Sequence, residues 1–158
     1  MAVAIRQRLP LGGEPGFRII HAMPIVRCAT PADLEPHLSR LAQERSGALL
    51  LFFGSEDPQT GASWCPDCVI ADPLLRRLAR ELQPALPLIE CPVGARSQWK
   101  HQPEHPYRLH PLLHLQRIPT LIHLEGASER GRLVEADCAN PDLVRAFLSD
   151  APKPARAG

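Results

Sequence analysis

The chain has 158 residues, of which 44% are hydrophobic, and a formal net charge of +1 at pH 7. This length fits one domain with loose ends, and a charge so close to zero gives no support to nucleic acid or an anionic membrane as a partner. No apolar run approaches the roughly 20 residues that span a bilayer, and the N-terminus lacks the apolar segment of a signal peptide. We therefore expect a cytoplasmic protein that binds neither nucleic acid nor membranes.

The two ends of the chain carry few structural signals. Prolines and glycines crowd residues 10–16, and we predict that residues 1–21 form an irregular arm. Residues 151–158 lack apolar periodicity and are predicted to be disordered. The folded domain is therefore placed at residues 22–150.

Strands and helices alternate through the first half of this domain. A short strand is predicted at 23–28, followed by a helix that has Thr30 as its N-cap and ends at Gly47. The run ALLLFF at 48–53 is apolar throughout, which is typical of a central strand buried on both faces. A polar loop then leads to a second helix at 66–83, which carries leucines along one side.

The alternation continues through the second half. A strand is predicted at 86–93, and between 96 and 117, where proline and histidine are frequent, only 107–115 is compatible with a short helix. The remaining elements are strands at 120–124 and 132–136 and a helix at 141–148. The order β-α-β-α-β-α-β-β-α predicts an α/β fold in which helices are layered on a sheet.

The sequence Cys65-Pro66-Asp67-Cys68, at the start of the second helix, is the sharpest chemical signal. The first thiol lies over the helix N-terminus, where unpaired N–H groups and the helix dipole favour the thiolate that attacks disulfides. Pro66 suits the first turn of a helix, whereas the charge of Asp67 opposes the neighbouring thiolate. We predict that Cys65 attacks a substrate and that Cys68, one turn deeper, resolves the mixed disulfide.

Half of a zinc site and a pair of inert thiols are the alternatives for this motif. A structural zinc site usually has a second pair of ligands at a suitable spacing. The other cysteines, Cys28, Cys91 and Cys138, are isolated in the sequence. Cys91 and Cys138 are most simply small buried apolar residues. The spacing and its context therefore favour redox chemistry.

Histidines and prolines alternate in the segment 96–117, which includes the predicted helix at 107–115. The four histidines are His101, His105, His110 and His114. Because prolines interrupt any continuous helix that would align them, we expect a solvated loop of titrating histidines and no metal site. Trp99 and Lys100 are candidates for a rim that docks a partner, although Trp99 is equally compatible with the core.

Ile118-Pro119-Thr120, immediately before a predicted strand, is the second candidate component of a site. The Ile118–Pro119 bond is either an ordinary trans bond that opens a strand or, less commonly, a cis bond. A cis bond there would expose the backbone of Ile118 for pairing with an extended substrate. The residues alone leave both alternatives open.

With these residues in view, the chain resembles the family of thioredoxin-related proteins of fourteen kilodaltons, whose thioredoxin domain has a WCPDC centre. The resemblance rests on the blocks FFGSEDPQTGASWCPDC, CPVGARSQWK, RIPTLIHLEG and RLVEADCANPDLVRAFL, which follow one another in the family's order over roughly residues 46–149. It implies a thioredoxin-like fold, with a central mixed β-sheet flanked by helices.

The resemblance also implies roles for individual residues. Cys65 is then the attacking thiol, Cys68 the resolving thiol, and Pro119 a cis proline that faces the pair. The neighbours expected to tune the thiols or to face the substrate are Trp64, Pro66, Asp67 and Ile118.

Members of this family reduce small disulfides such as cystine, and nitrosothiols, but act poorly on the usual protein clients of thioredoxin. The resemblance therefore implies a disulfide reductase that acts on small disulfides or selected protein disulfides. It implies no bound cofactor, since electrons come from NADPH through a separate thioredoxin-reductase-like enzyme. A redox-regulated binding module without turnover and a thiol peroxidase are the alternatives.

Three features depart from the family's pattern. The segment 96–117 is longer and richer in proline, and the N-terminal arm is an addition. The third departure concerns the carboxylate that many thioredoxins bury beneath the resolving cysteine, because the strand ALLLFF contains no such residue. Removal of the Cys68 proton then relies on water or on another group.

Overall fold

The computed structural model describes residues 3–8, 17–22 and 24–149. The two N-terminal ranges are strands, β1 (Val3–Arg8) and β2 (Phe17–Ala22), which pair antiparallel in a sheet of their own. The prediction of an irregular arm is therefore wrong for these residues. Glycine and proline mark only the connection, whereas the β-branched residues on both sides of it suit strands. The disorder predicted for 151–158 lies outside the described residues.

Within residues 24–149, five strands form a mixed sheet with the order β3-β5-β4-β6-β7. These strands are β3 (Ile25–Arg27), β4 (Gly47–Phe53), β5 (Leu88–Pro92), β6 (Thr120–Glu125) and β7 (Ser128–Val134). β5 pairs parallel with both β3 and β4, whereas β6 pairs antiparallel with β4 and β7. The last strand starts earlier than the predicted 132–136, and it also ends earlier because the chain enters a 3₁₀-helix at Glu135.

Helices alternate with these strands in the described domain. They are α1 (Pro31–Glu44), α2 (Pro66–Leu82), α3 (Arg96–Trp99), α4 (Pro106–Leu109) and α5 (Pro141–Ser149), and the 3₁₀-helix covers Glu135–Ala139. None of the helices among the described residues is long and apolar enough to span a bilayer.

The segment 96–117 differs from the prediction, since it forms two four-residue helices instead of one helix at 107–115. Proline explains both ends of α4. Pro106 occupies the first position of the helix, where its missing N–H has no partner to lose. Pro111 disfavours a helical backbone at the preceding residue, and His110 is extended with ψ 125°.

The core is built around β4, which is buried from Ala48 to Phe53 with at most 1% of any side chain exposed. This confirms the prediction of a central strand covered on both faces. The buried leucines of α1 and α2 pack into the same core. Burial of each such side chain stabilises the fold by about 1.5–3 kcal/mol.

Strand register brings three chain segments to one edge of the sheet. Phe53, at the end of β4, pairs with Pro92 at the end of β5, and Phe52 pairs with Thr120 at the start of β6. The loop that follows β4, the turn that follows β5 and the segment that precedes β6 therefore leave the sheet side by side. The predicted site residues all belong to these segments or to the adjoining end of α2.

Candidate active site

Cys65 is the N-cap residue of α2, with an extended backbone at φ −89° and ψ 111°. The backbone amide of Cys68 donates a hydrogen bond to Cys65 Sγ, with N and S 3.3 Å apart. Pro66 follows the cap at the first helical position, where a proline costs the helix no hydrogen bond. An N-cap side chain normally offers an oxygen to such an amide, and here a sulfur takes that position.

The two thiols differ in their access to substrate. Cys65 is 6% exposed and lines an open cavity of about 580 Å³, whereas Cys68 is fully buried. All five cysteines are free thiols in this structure. Only the first thiol of the pair is therefore open to a substrate sulfur, and the second is shielded behind it.

Hydrogen bonding separates the acidities of these thiols. The hydrogen bond from the Cys68 side chain, with help from backbone amides, lowers the pKa of Cys65 to about 7, against the opposing effects of burial and of the Asp67 carboxylate. The pKa of Cys68 is raised, because this thiol donates to Cys65 and is itself buried. Above about pH 7 the pair therefore holds one proton, which stays on Cys68 while Cys65 is a thiolate.

This difference gives a pH profile that alkylation can measure. The rate at which iodoacetamide modifies Cys65 should rise with pH and reach half its maximum near pH 7, since only the thiolate reacts. Asp67→Asn removes a negative charge that raises the pKa of Cys65, so the midpoint should move to lower pH. Peptide mass spectrometry locates the modified thiol, and a midpoint above pH 8 in the wild type would contradict this assignment.

Trp64 is fixed by the turn that follows β5. Its indole Nε1 donates to the carbonyl oxygen of Gly94 at 2.8 Å, and the amide of Ser55 donates to the same oxygen at 3.1 Å. Gly94 has φ 102°, a conformation that favours glycine. Gly54 is also constrained, since a Cβ there would lie 2.7 Å from Trp64 Cε2. Trp64 is thereby held on the wall of the cavity, next to Cys65.

The polar loop between β4 and α2 is joined to the site by further contacts. Ser63 Oγ donates to the carbonyl oxygen of Gly54 at 2.5 Å and accepts from the amide of Cys65 at 3.2 Å. Near the start of the loop, Glu56 accepts two hydrogen bonds from Arg27 of β3, at 2.6 and 3.1 Å. These contacts fix the backbone that leads into Cys65, so the thiol is held in place from both sides.

The Ile118–Pro119 peptide bond is cis, as the sequence resemblance implies. Ile118 lines the same cavity as Cys65, whereas the carbonyl oxygen of Pro119 is engaged by the protein. It accepts from the backbone amide of Glu135 at 2.8 Å and from Cys138 Sγ at 3.6 Å. The structure therefore places Ile118 on the wall of the cavity that Cys65 also lines, and Cys138 supports the proline through its contact with the Pro119 carbonyl oxygen.

Comparison with known proteins agrees with this geometry. A sequence profile described as the thioredoxin domain of thioredoxin domain-containing protein 17-like proteins matches residues 29–150, well over half of the chain. The chain belongs to the thioredoxin domain-containing protein 17-like family. The resemblance noted in the sequence is thus confirmed at the level of the family.

Two curated relatives of the family illustrate the match. Thioredoxin-like protein Clot of Arabidopsis thaliana is 34% identical over 125 residues, which cover 77% of this chain and 92% of that protein. Thioredoxin domain-containing protein 17 of Homo sapiens is 33% identical over 113 residues, covering 70% of this chain and 86% of that protein. Each alignment spans most of the relative.

Solved structures establish the fold. Thioredoxin NaTrxh from Nicotiana alata matches with a TM-score of 0.59 at 13% identity, covering 84% of this chain and 96% of that one. Fasciola hepatica thioredoxin matches with a TM-score of 0.55 at 20% identity, covering 81% and 100%. The predicted thioredoxin-like fold, a mixed sheet flanked by helices, is therefore confirmed for this member of the family.

Asp72 is a residue of this thioredoxin domain that the sequence interpretation missed. It lies on α2, one turn after Cys68, and is 5% exposed. Its Oδ1 is buried and has no hydrogen-bond partner among the described residues. Burial raises the pKa of Asp72 to about 7, and the Asp72 charge in turn contributes to the raised pKa of Cys68. The spacing of four residues was the available signal, because it places both side chains on one helix face.

The four histidines of this family member do not converge on one point. His101 and His114 are exposed, as predicted for a solvated loop, and His110 is half-buried. His105 is instead buried, with Nε2 2.8 Å from the carbonyl oxygen of Val93 and Nδ1 accepting from a backbone amide at 3.1 Å. Where side chains are described, no group of three or more His, Cys, Asp or Glu residues is placed to hold a metal ion.

Proposed function

We propose that this protein is a thiol–disulfide oxidoreductase that reduces small disulfides and a restricted set of protein disulfides through Cys65 and Cys68. The observation that carries this proposal is the asymmetry of the pair. Cys65 has a pKa of about 7 and opens onto a cavity, whereas Cys68 is buried directly behind it and retains its proton. Such an arrangement suits a first thiol that attacks the substrate and a second that reacts only after the mixed disulfide has formed.

The first step is attack by the Cys65 thiolate on one sulfur of the substrate. A bond forms between Cys65 Sγ and that sulfur, the substrate S–S bond breaks, and the second substrate sulfur leaves with the electron pair as a thiolate. In the second step, Cys68 attacks Cys65 Sγ, forms the internal disulfide and releases the remaining substrate thiolate. Two electrons pass in this way from the dithiol to the substrate.

Proton transfer links the two steps. The Cys65 thiolate holds the proton on Cys68, and this charge disappears when Cys65 enters a mixed disulfide. Cys68 then needs a group that accepts its proton before it can attack. Asp72 is a buried carboxylate, its charge acts on Cys68, and its pKa of about 7 matches the neutral range in which a general base works best.

Reduction of the internal disulfide completes the cycle. We assign this step to a separate thioredoxin-reductase-like enzyme that uses NADPH, so that this chain itself binds no cofactor. The proposal requires a compartment that keeps thiols reduced, and the cytoplasm meets this requirement. Trp64, at the end of the loop that follows β4, is held on the cavity wall beside Cys65, and we propose that this loop restricts the approach of large protein clients and favours small disulfides.

A coupled assay tests the proposal. Wild-type protein, a thioredoxin reductase, NADPH and hydroxyethyl disulfide should together consume NADPH, whereas Cys65→Ser should lose at least about 10³-fold in rate, because Cys68, the remaining thiol of the pair, is fully buried. Cys28→Ala, which removes a buried thiol outside the pair, should retain the rate. No NADPH consumption by the wild type would favour a binding module instead. Fast consumption with hydrogen peroxide in place of the disulfide would favour a thiol peroxidase.

A further inference from the structure

The cavity lined by Cys65 also carries six charged side chains on its walls. Its volume of about 580 Å³ lies within the range of small-molecule sites, roughly 300–1,000 Å³. The charged side chains on its walls are Arg96, Lys100, Arg108, Arg117, Asp67 and Glu135. Four cations and two carboxylates leave the walls net positive.

The cations of this cavity differ in whether a carboxylate neutralises them. Arg117 is paired with Glu135 at 3.3 Å, and Asp67 adjoins Cys65 in the chain. Arg96 and Lys100, on α3 and directly after it, have no carboxylate within 4 Å among the residues that the structure describes. The segment of α3 therefore presents cations that no carboxylate of the described residues neutralises.

Arg108 adds a third cation and is held in one orientation. Its guanidinium lies over the Trp99 ring, 3.6 Å from the ring centroid, and donates to the carbonyl oxygens of Gln116 and Trp99 at 2.7 and 3.1 Å. No carboxylate lies within salt-bridge distance of it in the described part of the chain. Trp99 itself is 3% exposed, so it supports Arg108 from the core while reaching the cavity wall.

We infer that this cavity selects small disulfides that carry carboxylates, and that Arg96, Lys100 and Arg108 provide the recognition. The inference rests on the proposed function, because it names the substrate class of the same site. Carboxylates pair strongly with guanidinium groups, and an unpaired cation inside a cleft raises the local concentration of anions. Asp67 lies close to Cys65 in the chain, and its carboxylate repels anionic groups near the thiol. Selection therefore depends on substrate charges that are placed a few bonds from the sulfur.

Three disulfides with two-carbon arms separate charge from size. They are 3,3′-dithiodipropionate, which is anionic, hydroxyethyl disulfide, which is neutral, and cystamine, which is cationic. Prereduced protein is mixed with each at low ionic strength, and its oxidation is followed by tryptophan fluorescence, since Trp64 adjoins Cys65. The same disulfides react with dithiothreitol in parallel, which corrects for their intrinsic reactivity. No reductase is present, so the measurement reports this protein alone.

The double variant Arg96→Gln with Lys100→Gln should lower the ratio of the anionic to the cationic rate constant about tenfold, within the range of electrostatic focusing in clefts. The matched control, Arg40→Gln with Arg77→Gln, removes the same net charge from exposed positions outside the cavity and should leave the ratio unchanged. Added salt should reduce the wild-type ratio, because screening shortens electrostatic reach to about 10 Å at 0.1 M.

Two results would overturn the inference and are distinguishable from failure of the proposed function. A wild type that reacts with the neutral disulfide but shows no preference for the anionic one would reject charge selection alone. An equal loss of the ratio in the control variant would assign the effect to overall charge and not to this cavity. Failure of all three disulfides to oxidise the Cys65–Cys68 pair would instead reject the proposed function, and the inference with it.

Discussion

Cys68→Ser should stop turnover while leaving the first chemical step almost intact. The hydroxyl of serine can still donate a hydrogen bond to Cys65, and this hydrogen bond is the main cause of the lowered pKa of Cys65. Attack on a disulfide should therefore proceed within a few-fold of the wild-type rate. The mixed disulfide then has no second thiol to release it, and steady-state turnover should fall by at least about 10³-fold.

Mass spectrometry of the intact protein measures the trapped species directly. With hydroxyethyl disulfide, Cys68→Ser should gain the mass of one substrate half, located at Cys65 by peptide mapping. The experiment contains no glutathione or other free thiol, because a thiol from solution would take the place of Cys68. A wild-type sample under the same conditions should show the internal disulfide with no adduct.

Cys68→Ala separates the two roles of this side chain. Alanine removes both the resolving thiol and the hydrogen-bond donor, so the pKa of Cys65 should rise and its alkylation at pH 7 should slow relative to Cys68→Ser. Cys91→Ala is the matched control, since it removes another buried thiol that lies outside the pair. Equal alkylation rates in the serine and alanine variants would show that the Cys68 side chain does not set the acidity of Cys65.

The sequence predicts most of this fold because local signals and tertiary structure agree. The run ALLLFF requires burial on both faces, and only the centre of a sheet provides it. The helix after Cys65 begins where a proline at its first position and an N-cap residue both favour a start. The chemistry of the pair follows from this local agreement, because the motif itself places one sulfur at the helix terminus.

The predicted elements differ from the structure where local composition and tertiary context favour different conformations. Glycine and proline near residues 10–16 suggested an irregular arm, yet the flanking residues form β1 and β2. In the segment 96–117, only 107–115 was compatible with a helix, but Pro111 confines α4 to four residues. Buried polar groups such as His105 also stabilise this segment, and their backbone partners are not visible in a sequence.

The charged cavity wall illustrates a second limit. Arg96, Lys100 and Arg108 reach one cavity from two short helices, and Arg117 joins them from the segment before β6. No spacing rule connects these positions, because the contact depends on the strand register at the edge of the sheet. Asp72 is different, since its spacing of four residues from Cys68 is visible in the sequence and the carboxylate lies on α2 instead of on the strand ALLLFF.

Asp72→Asn should stabilise the protein at pH 8 by about 1–3 kcal/mol. The wild-type carboxylate is buried, its Oδ1 has no described partner, and burial raises its pKa from 3.8 to about 7. Arg76 opposes this shift, whereas Cys65, Glu56 and Glu90 add to it. An ionised Asp72 at pH 8 is therefore a cost to the folded state that a neutral amide does not carry.

The sign of the pH dependence follows from linkage. Below pH 3.8 both folded and unfolded chains hold the Asp72 proton, so this residue contributes no difference. Between pH 3.8 and about 7 the unfolded chain loses the proton first, and wild-type stability falls as pH rises, by up to about 4 kcal/mol at about 1.4 kcal/mol per pKa unit. The advantage of the variant should thus grow from pH 4 to pH 7 and stay constant above it.

Urea unfolding at several pH values measures this advantage, with Glu81→Gln as the control because it neutralises an exposed carboxylate of the same helix. The same Asn variant should slow the decay of the mixed disulfide by about 10²-fold, since Cys68 loses its proton acceptor. A purely structural Asp72 would leave that decay unchanged. A variant less stable than wild type at pH 8 would show that the carboxylate is favourably placed and contradict its raised pKa. A variant that unfolds less readily but resolves the mixed disulfide more slowly is the result expected when a functional group destabilises the fold.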